Sequence, residues 1–126
     1  MQKRVLIVED EPGIRLLLNE ILKKEGHEVM QATTGKEALE KIATSSFDLL
    51  IIDYKLPVLD GIEVIKQLQT DQHFIPCIMM TGLIELVAEQ LEKMDFVKGV
   101  IAKPFNVDEL CEIVQKIFPT VQTKQI

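Results

Sequence analysis

Leu49-Leu50-Ile51-Ile52-Asp53 is four apolar residues in unbroken succession followed by a carboxylate. A strand wetted on one face alternates apolar with polar residues. A strand covered on both faces does not need to, so an uninterrupted run predicts a parallel sheet sandwiched between helices. Working outward, Val5-Leu6-Ile7-Val8 is a second such run and ends at Glu9-Asp10-Glu11. Ile75 with Ile78-Met79-Met80 is a third and ends at Thr81-Gly82. The strands are predicted at Arg4–Val8, Glu28–Ala32, Phe47–Ile52, Ile75–Met80 and Gly99–Ala102, the second of mixed polarity, as suits a sheet edge.

Every gap between these runs carries helix signals. Pro12 suits a first helical position, Thr34-Gly-Lys-Glu37 reads as a capping box, and Asp60 and Asn106 can each cap a helix with Glu63 and Glu109 three residues on. Gly26 after Lys23-Lys24-Glu25 is a left-handed stop. Ile14, Leu17, Leu18, Ile21 and Leu22 form the apolar stripe of a helix laid on a sheet, as do Val107, Leu110, Cys111, Val114 and Phe118. Five strands alternating with five helices predict an α/β fold, a doubly wound three-layer sandwich with right-handed crossovers.

The 126 residues suit one domain, and 47% apolar with 27% charged residues is a globular composition rather than a disordered one. No apolar run reaches the roughly 18 residues of a membrane span, and no leader pattern precedes the first strand. With 14 Lys and Arg against 20 Asp and Glu the net charge is −6, and no basic stripe offers itself to a phosphate backbone, so nucleic acid is not an expected partner. Cys77 and Cys111 have neither metal-site nor disulfide spacing, which suits a reducing, cytoplasmic location. Both read as apolar core residues, as do Met79 and Met80, while His27 and His73 read as loop residues without a chemical role.

Ligands of open parallel sheets sit beyond the carboxyl ends of the strands. Glu9-Asp10-Glu11 follows the first strand, Asp53 the third, Thr81-Gly82 the fourth and Lys103-Pro104 the fifth. Any one of these could merely terminate a strand; the same pattern at successive strand ends is harder to dismiss. Asp53 near Asp10 would place two carboxylates in mutual repulsion, which a divalent cation relieves. An all-oxygen donor set without His or Cys points to Mg²⁺.

Glu9-Asp10, Ile51-Ile52-Asp53, Leu56-Pro57-Val58-Leu59-Asp60-Gly61, Met80-Thr81-Gly82 and Ala102-Lys103-Pro104-Phe105 together resemble the motif set of two-component response regulator receiver domains. The resemblance covers residues 3 to about 118 in order. It implies the flavodoxin-like (βα)5 fold with strand order 2-1-3-4-5 and a receiver domain over residues 1–119; the residues after it, 120–126, read as a short polar tail, and no output domain is expected. It further implies that Asp53 accepts a phosphoryl group from a histidine kinase. Asp10 and Asp53, with the backbone carbonyl of Lys55 and with Glu9 through water, would hold Mg²⁺; Lys103 and Thr81 would meet the phosphoryl oxygens. Gly82 would leave room beside Thr81, and a cis Lys103-Pro104 bond would aim the ammonium inward. Such a protein catalyses its own phosphorylation without being a conventional turnover enzyme.

Within the family, Pro12-Gly13-Ile14-Arg15, Leu18-Asn19-Glu20 and Lys24-Glu25-Gly26 look most like the stand-alone receivers of a sporulation phosphorelay. Four positions qualify how far the family pattern carries over. Glu9 replaces an aspartate while keeping its charge. Val100 stands where many receivers carry a rotating aromatic or His, which argues against the usual signal to a distant output face. Lys55 and Leu83 flank the phosphoacceptor position and should obstruct an in-line water, giving a long-lived phosphoryl group. Gly13, Ile14, Leu16, Leu56, Leu83, Leu86, Pro104 and Phe105 are expected to form an apolar docking patch at the same rim, suited to a four-helix-bundle histidine phosphotransferase. The expected partners are therefore a sensor histidine kinase and a histidine phosphotransferase, with the protein itself a monomer. The alternatives are a phosphorylation-gated binding module like the chemotaxis regulators, a flavodoxin-like cofactor binder, and a small aspartyl phosphatase. The last two are weakened by the absence of a phosphate-cradling loop and by Lys55 where a catalytic acid would be wanted.

Overall fold

A computed structural model describes residues 2–119 of the chain; the tail expected at 120–126 lies outside them. The elements run β1 (Arg4–Val8), α1 (Pro12–Lys24), β2 (Glu28–Ala32), α2 (Gly35–Thr44), β3 (Leu49–Asp53), α3 (Gly61–Thr70), β4 (Cys77–Thr81), α4 (Ile84–Leu91), β5 (Val97–Ala102) and α5 (Val107–Ile117). All five strands are parallel, in the order β2-β1-β3-β4-β5.

The apolar runs are continuous because alternate residues feed opposite layers. Leu6, Val8, Leu50, Ile52 and Met79 face a core shared with α2, α3 and α4. Val5, Ile7, Leu49, Ile51, Ile78 and Met80 face a core shared with α1 and α5. Burying a side chain of this size is worth about 1.5–3 kcal/mol, so neither face tolerates a one-residue slip.

Pro12 opens α1 as expected, and α1 stops at Gly26, whose φ of 93° lets its amide reach the Lys23 carbonyl while His27 bonds Leu22. Asp60 and Glu63 form a complete capping box on α3. Thr34 accepts from the Glu37 amide, but Glu37 returns its carboxylate to Thr33, one residue short of a reciprocal box.

Several strand boundaries differ from those expected. β3 begins at Leu49, and the residue before it, Asp48, is engaged with Arg4 at the start of β1. Pro76 has no amide to give a ladder, so β4 begins at Cys77. β5 starts at Val97, two residues early, across a bulge that pairs Cys77 with Val97 and Ile78 with Gly99. Two stripe residues face water instead of the core, Leu17 (43% exposed) and Val107 (41% exposed), since each sits at the margin of its stripe. Cys77 is buried as expected, whereas Cys111 is half-buried. Among the described residues no helix is long and apolar enough to cross a membrane.

Candidate functional site

The strand ends deliver the side chains. Asp53 and Thr81 are the last residues of β3 and β4, and both are buried. Glu9 follows β1 directly and is also buried, its amide held by the Ala32 carbonyl of β2. The Tyr54 amide bonds the Met80 carbonyl and the Lys103 amide bonds the Thr81 carbonyl, so β3, β4 and β5 leave the sheet in step. Gly61 allows α3 to start against this edge: a Cβ there would lie 2.6 Å from the Asp53 carbonyl oxygen and 3.0 Å from the Tyr54 Cα. Packing makes no such demand of Gly82, where a Cβ would come no nearer than 4.0 Å to the Lys103 carbonyl oxygen.

Residues remote in sequence thereby line one cleft of about 660 Å³, among them Glu9, Asp10, Asp53, Lys55, Thr81 and Lys103. Lys103 Nζ donates to Asp53 Oδ2 at 3.0 Å and to Glu9 Oε1 at 3.2 Å. The other Asp53 oxygen, Oδ1, accepts from the Lys55 amide at 3.4 Å. Carboxylate oxygens of Glu9, Asp10 and Asp53 lie within 4.8 Å of one another. Three acids and one ammonium leave a surplus of negative charge, and the donor set is entirely oxygen. That chemistry fits a hard divalent cation. Thr81 Oγ1 accepts the Leu83 amide at 2.9 Å, which leaves its proton free to donate into the cleft. The Lys103-Pro104 bond is cis.

Burial pushes the Glu9 carboxyl above the usual carboxylate range, and the Asp53 charge adds to it, against the pull of the Glu11 amide and of Lys103. Burial alone would push the Lys103 ammonium down; the hydrogen bonds and charges of Asp53 and Glu9 outweigh it and hold Lys103 above the ordinary lysine range.

The docking patch is only partly on the surface. Leu16 (58% exposed), Leu83 and Leu86 are solvent-facing, as are Gly13 and Pro104. Ile14 and Phe105 are half-buried against the α1/α5 core. Leu56 is not an exposed residue at all: it is 7% exposed and belongs to the core beneath the β3–α3 loop. The turn in which the Leu56 amide bonds the Tyr54 carbonyl tucks it inward, and Val58 emerges fully exposed in its place with φ of 67°. Nothing in a sequence distinguishes which apolar residue of such a loop turns in. Sequence reasoning also missed that Arg15 reaches the loop carrying the acids, a contact set by where α1 lies on the sheet.

Residues 5–115 match the family described as the response regulator receiver domain. The chain belongs to that family. It is 40% identical over 119 residues to sporulation initiation phosphotransferase F of Bacillus subtilis, covering 94% of this chain and 96% of that protein. It is 38% identical to the alkaline phosphatase synthesis transcriptional regulatory protein PhoP of the same organism, covering 87% of this chain but 46% of that protein. Among solved structures, the response regulator TrrA of Thermotoga maritima in complex with Mg(2+)-BeF superposes with a TM-score of 0.81 at 36% identity, covering 92% of this receiver and 99% of that chain.

Proposed function

We propose that this receiver is a phosphorelay intermediate. It takes a phosphoryl group from the phosphohistidine of a sensor kinase onto Asp53 and surrenders it to the histidine of a phosphotransferase, as a monomer in the cytoplasm. The observation that carries this reading is the buried Asp53 carboxylate at a strand end, with the Lys103 ammonium at 3.0 Å and Asp10 and Glu9 beside it. Near-complete coverage of a relative named as a phosphotransferase supports it further.

In the transfer an Asp53 oxygen forms a bond to phosphorus as the phosphorus–nitrogen bond breaks, and the leaving imidazole retains the electron pair of that bond. Such a reaction needs in-line positioning and neutralisation of charge spread over three oxygens more than it needs covalent assistance. Lys103 supplies a cation already seated at the attacking carboxylate, and the free Thr81 proton can meet a second oxygen. Asp10 and Asp53, with the Lys55 carbonyl and with Glu9 through water, would hold Mg²⁺, which would supply neutralisation of the negative charge gathered there. Return transfer reverses the same bond changes.

The test is incubation with phosphoramidate and Mg²⁺ followed by intact mass. One added phosphoryl group on the wild-type protein, absent in Asp53→Asn, is expected; equal labelling of the variant would overturn the assignment. Mixing the labelled protein with a histidine phosphotransferase separates a relay, in which label moves, from a phosphorylation-gated binding module, in which it stays.

A further inference from the structure

The β1–α1 loop places three carboxylates in succession, Glu9-Asp10-Glu11. The Glu9 side chain turns into the site, where Oε2 accepts the Glu11 amide at 3.1 Å, while its backbone carbonyl points the other way. That carbonyl accepts from Arg15 at 3.0 Å, and the same guanidinium nitrogen lies 3.4 Å from the Asp10 carbonyl. Arg15 Nε donates in addition to the side-chain oxygen of Gln31 at 3.2 Å. Gln31 stands on the edge strand β2, in register with Ile7, and its own backbone carbonyl is held by Lys41 of α2 at 3.0 Å. One planar fork thus ties both acidic residues to a braced point on the sheet edge.

Helix electrostatics make this placement informative. Arg15 is the fourth residue of α1, at the end of the helix where the backbone dipole disfavours a cation. Glu37, Glu63, Glu85 and Asp108 with Glu109 give the other four helices acidic first turns, whereas α1 has none. The polar Gln31 likewise shares a strand face with Val29, which packs on the α1/α5 core. Both choices cost stability locally, and both are accounted for by the contact they make.

We propose that Arg15, braced by Gln31, is the positioning residue of the acidic pair: by pinning the outward carbonyls of Glu9 and Asp10 it fixes the inward direction of their carboxylates and presets them for a divalent cation. The inference rests on the Mg²⁺-dependent reading given above. Lysine keeps the charge at this position but has no rigid fork to span two carbonyls and an amide. Residues that orient metal ligands without touching the metal typically govern affinity by about 10–100-fold.

Tyr54 is the single tyrosine of a chain without tryptophan and adjoins Asp53, so its fluorescence is the expected readout of a Mg²⁺ titration. Arg15→Met is expected to weaken Mg²⁺ binding about tenfold, with Arg15→Lys falling between it and wild type. In the metal-free protein, amide hydrogen exchange at residues 9–11 is expected to quicken in Arg15→Met while β3 and β4 stay protected. A role confined to stability would lower the melting temperature and leave the Mg²⁺ affinity within twofold of wild type; that result overturns the proposal. If Arg15→Met does not fold, Gln31→Leu keeps the cation and removes its brace, and an unchanged affinity there is equally fatal. Absence of any saturable Mg²⁺ response in the wild-type protein would instead bring down the reading of the site itself.

Discussion

The two ends of the sheet use the same residue types to opposite effect. At the amino end, Arg4 ties β1 to its neighbours: its amide bonds Asp48, its guanidinium bonds the Ser46 carbonyl, pairs with Glu28 at 3.4 Å and lies over the Phe47 ring. Those charges are wetted and opposite in sign. A cavity of about 870 Å³ opens there, larger than the cleft at the other end, yet among the described residues it brings together no cluster of metal-ligating side chains. At the carboxyl end, Glu9 and Asp53 are buried beside Asp10 with one ammonium between them. Size therefore does not mark the site. Buried like charge does, because such an arrangement costs stability and costs of this kind cluster where proteins bind or react.

The largest effect that sharpens this contrast is on phosphorylation. Lys103→Met is expected to slow labelling of Asp53 by phosphoramidate about 100-fold or more, and Thr81→Ala by about tenfold, through lost stabilisation of phosphoryl charge. Arg4→Met should leave the labelling rate unchanged and cost about 1 kcal/mol in chemical denaturation, as loss of hydrogen bonds at a wetted site does. A labelling rate lowered equally by all three would erase the distinction between the two ends.

Next in size is the lifetime of the phosphoryl group. Lys55 and Leu83 line the cleft beside Asp53 and Thr81. Lys55→Asn and Leu83→Ala are expected to quicken loss of label on the order of tenfold, by admitting water to the line of attack. Unchanged decay in both variants would show that these side chains do not shield the bond.

A smaller effect separates two carboxylates by pH. Glu9 has its proton affinity raised in the fold, so its contribution to stability is present below the ordinary range of a glutamate and is lost as pH rises through the folded value. Glu37 is lowered by the Thr33 amide and Lys41, so its contribution is present above the ordinary range and is lost as pH falls through the folded value. In metal-free protein at neutral pH, Glu9→Gln should raise the melting temperature and Glu37→Gln should lower it. Movement in the same direction would contradict the assigned causes.

The smallest effect compares two left-handed residues. Val58 lies in the loop beside the site and Gln72 just past α3 at the far end, with φ of 67° and 62°. Gln72 closes α3 with the bonding that Gly26 gives α1, its amide on Gln69 and that of His73 on Leu68. Replacing either with glycine is expected to stabilise by about 0.5–1 kcal/mol in thermal melts. Only Val58→Gly should also slow transfer to a phosphotransferase, since that fully exposed side chain follows directly on Lys55, Leu56 and Pro57, which line the cleft.

Much of this was legible in the chain. The layers were, because continuous apolar runs and periodic stripes are local patterns that burial on two faces imposes. The helix stop at Gly26 and the helix start at Asp60 were, because a cap is chemistry within four residues. The gathering of Asp53, Thr81 and Lys103 at one edge was, because the residues that close the apolar runs of parallel strands emerge on the same side of the sheet. Leu56 was misplaced as a surface residue and Val58 overlooked, because inward and outward turns of a loop cost nearly the same until the core beneath is filled. Leu17 and Val107 were misplaced because the edge of a helical stripe is set by how far the sheet extends under it.

Sequence alone determined which residue types end each strand and which segments form strand or helix, since these follow from hydrogen bonding and side-chain periodicity within a few residues. Tertiary structure alone decided that Lys103 bridges Glu9 and Asp53, and that Arg15 reaches past its own helix to the Glu9 and Asp10 carbonyls and to Gln31 on the edge strand. Those partners lie up to 94 residues apart along the chain, and only the order and register of the strands set the distance between them.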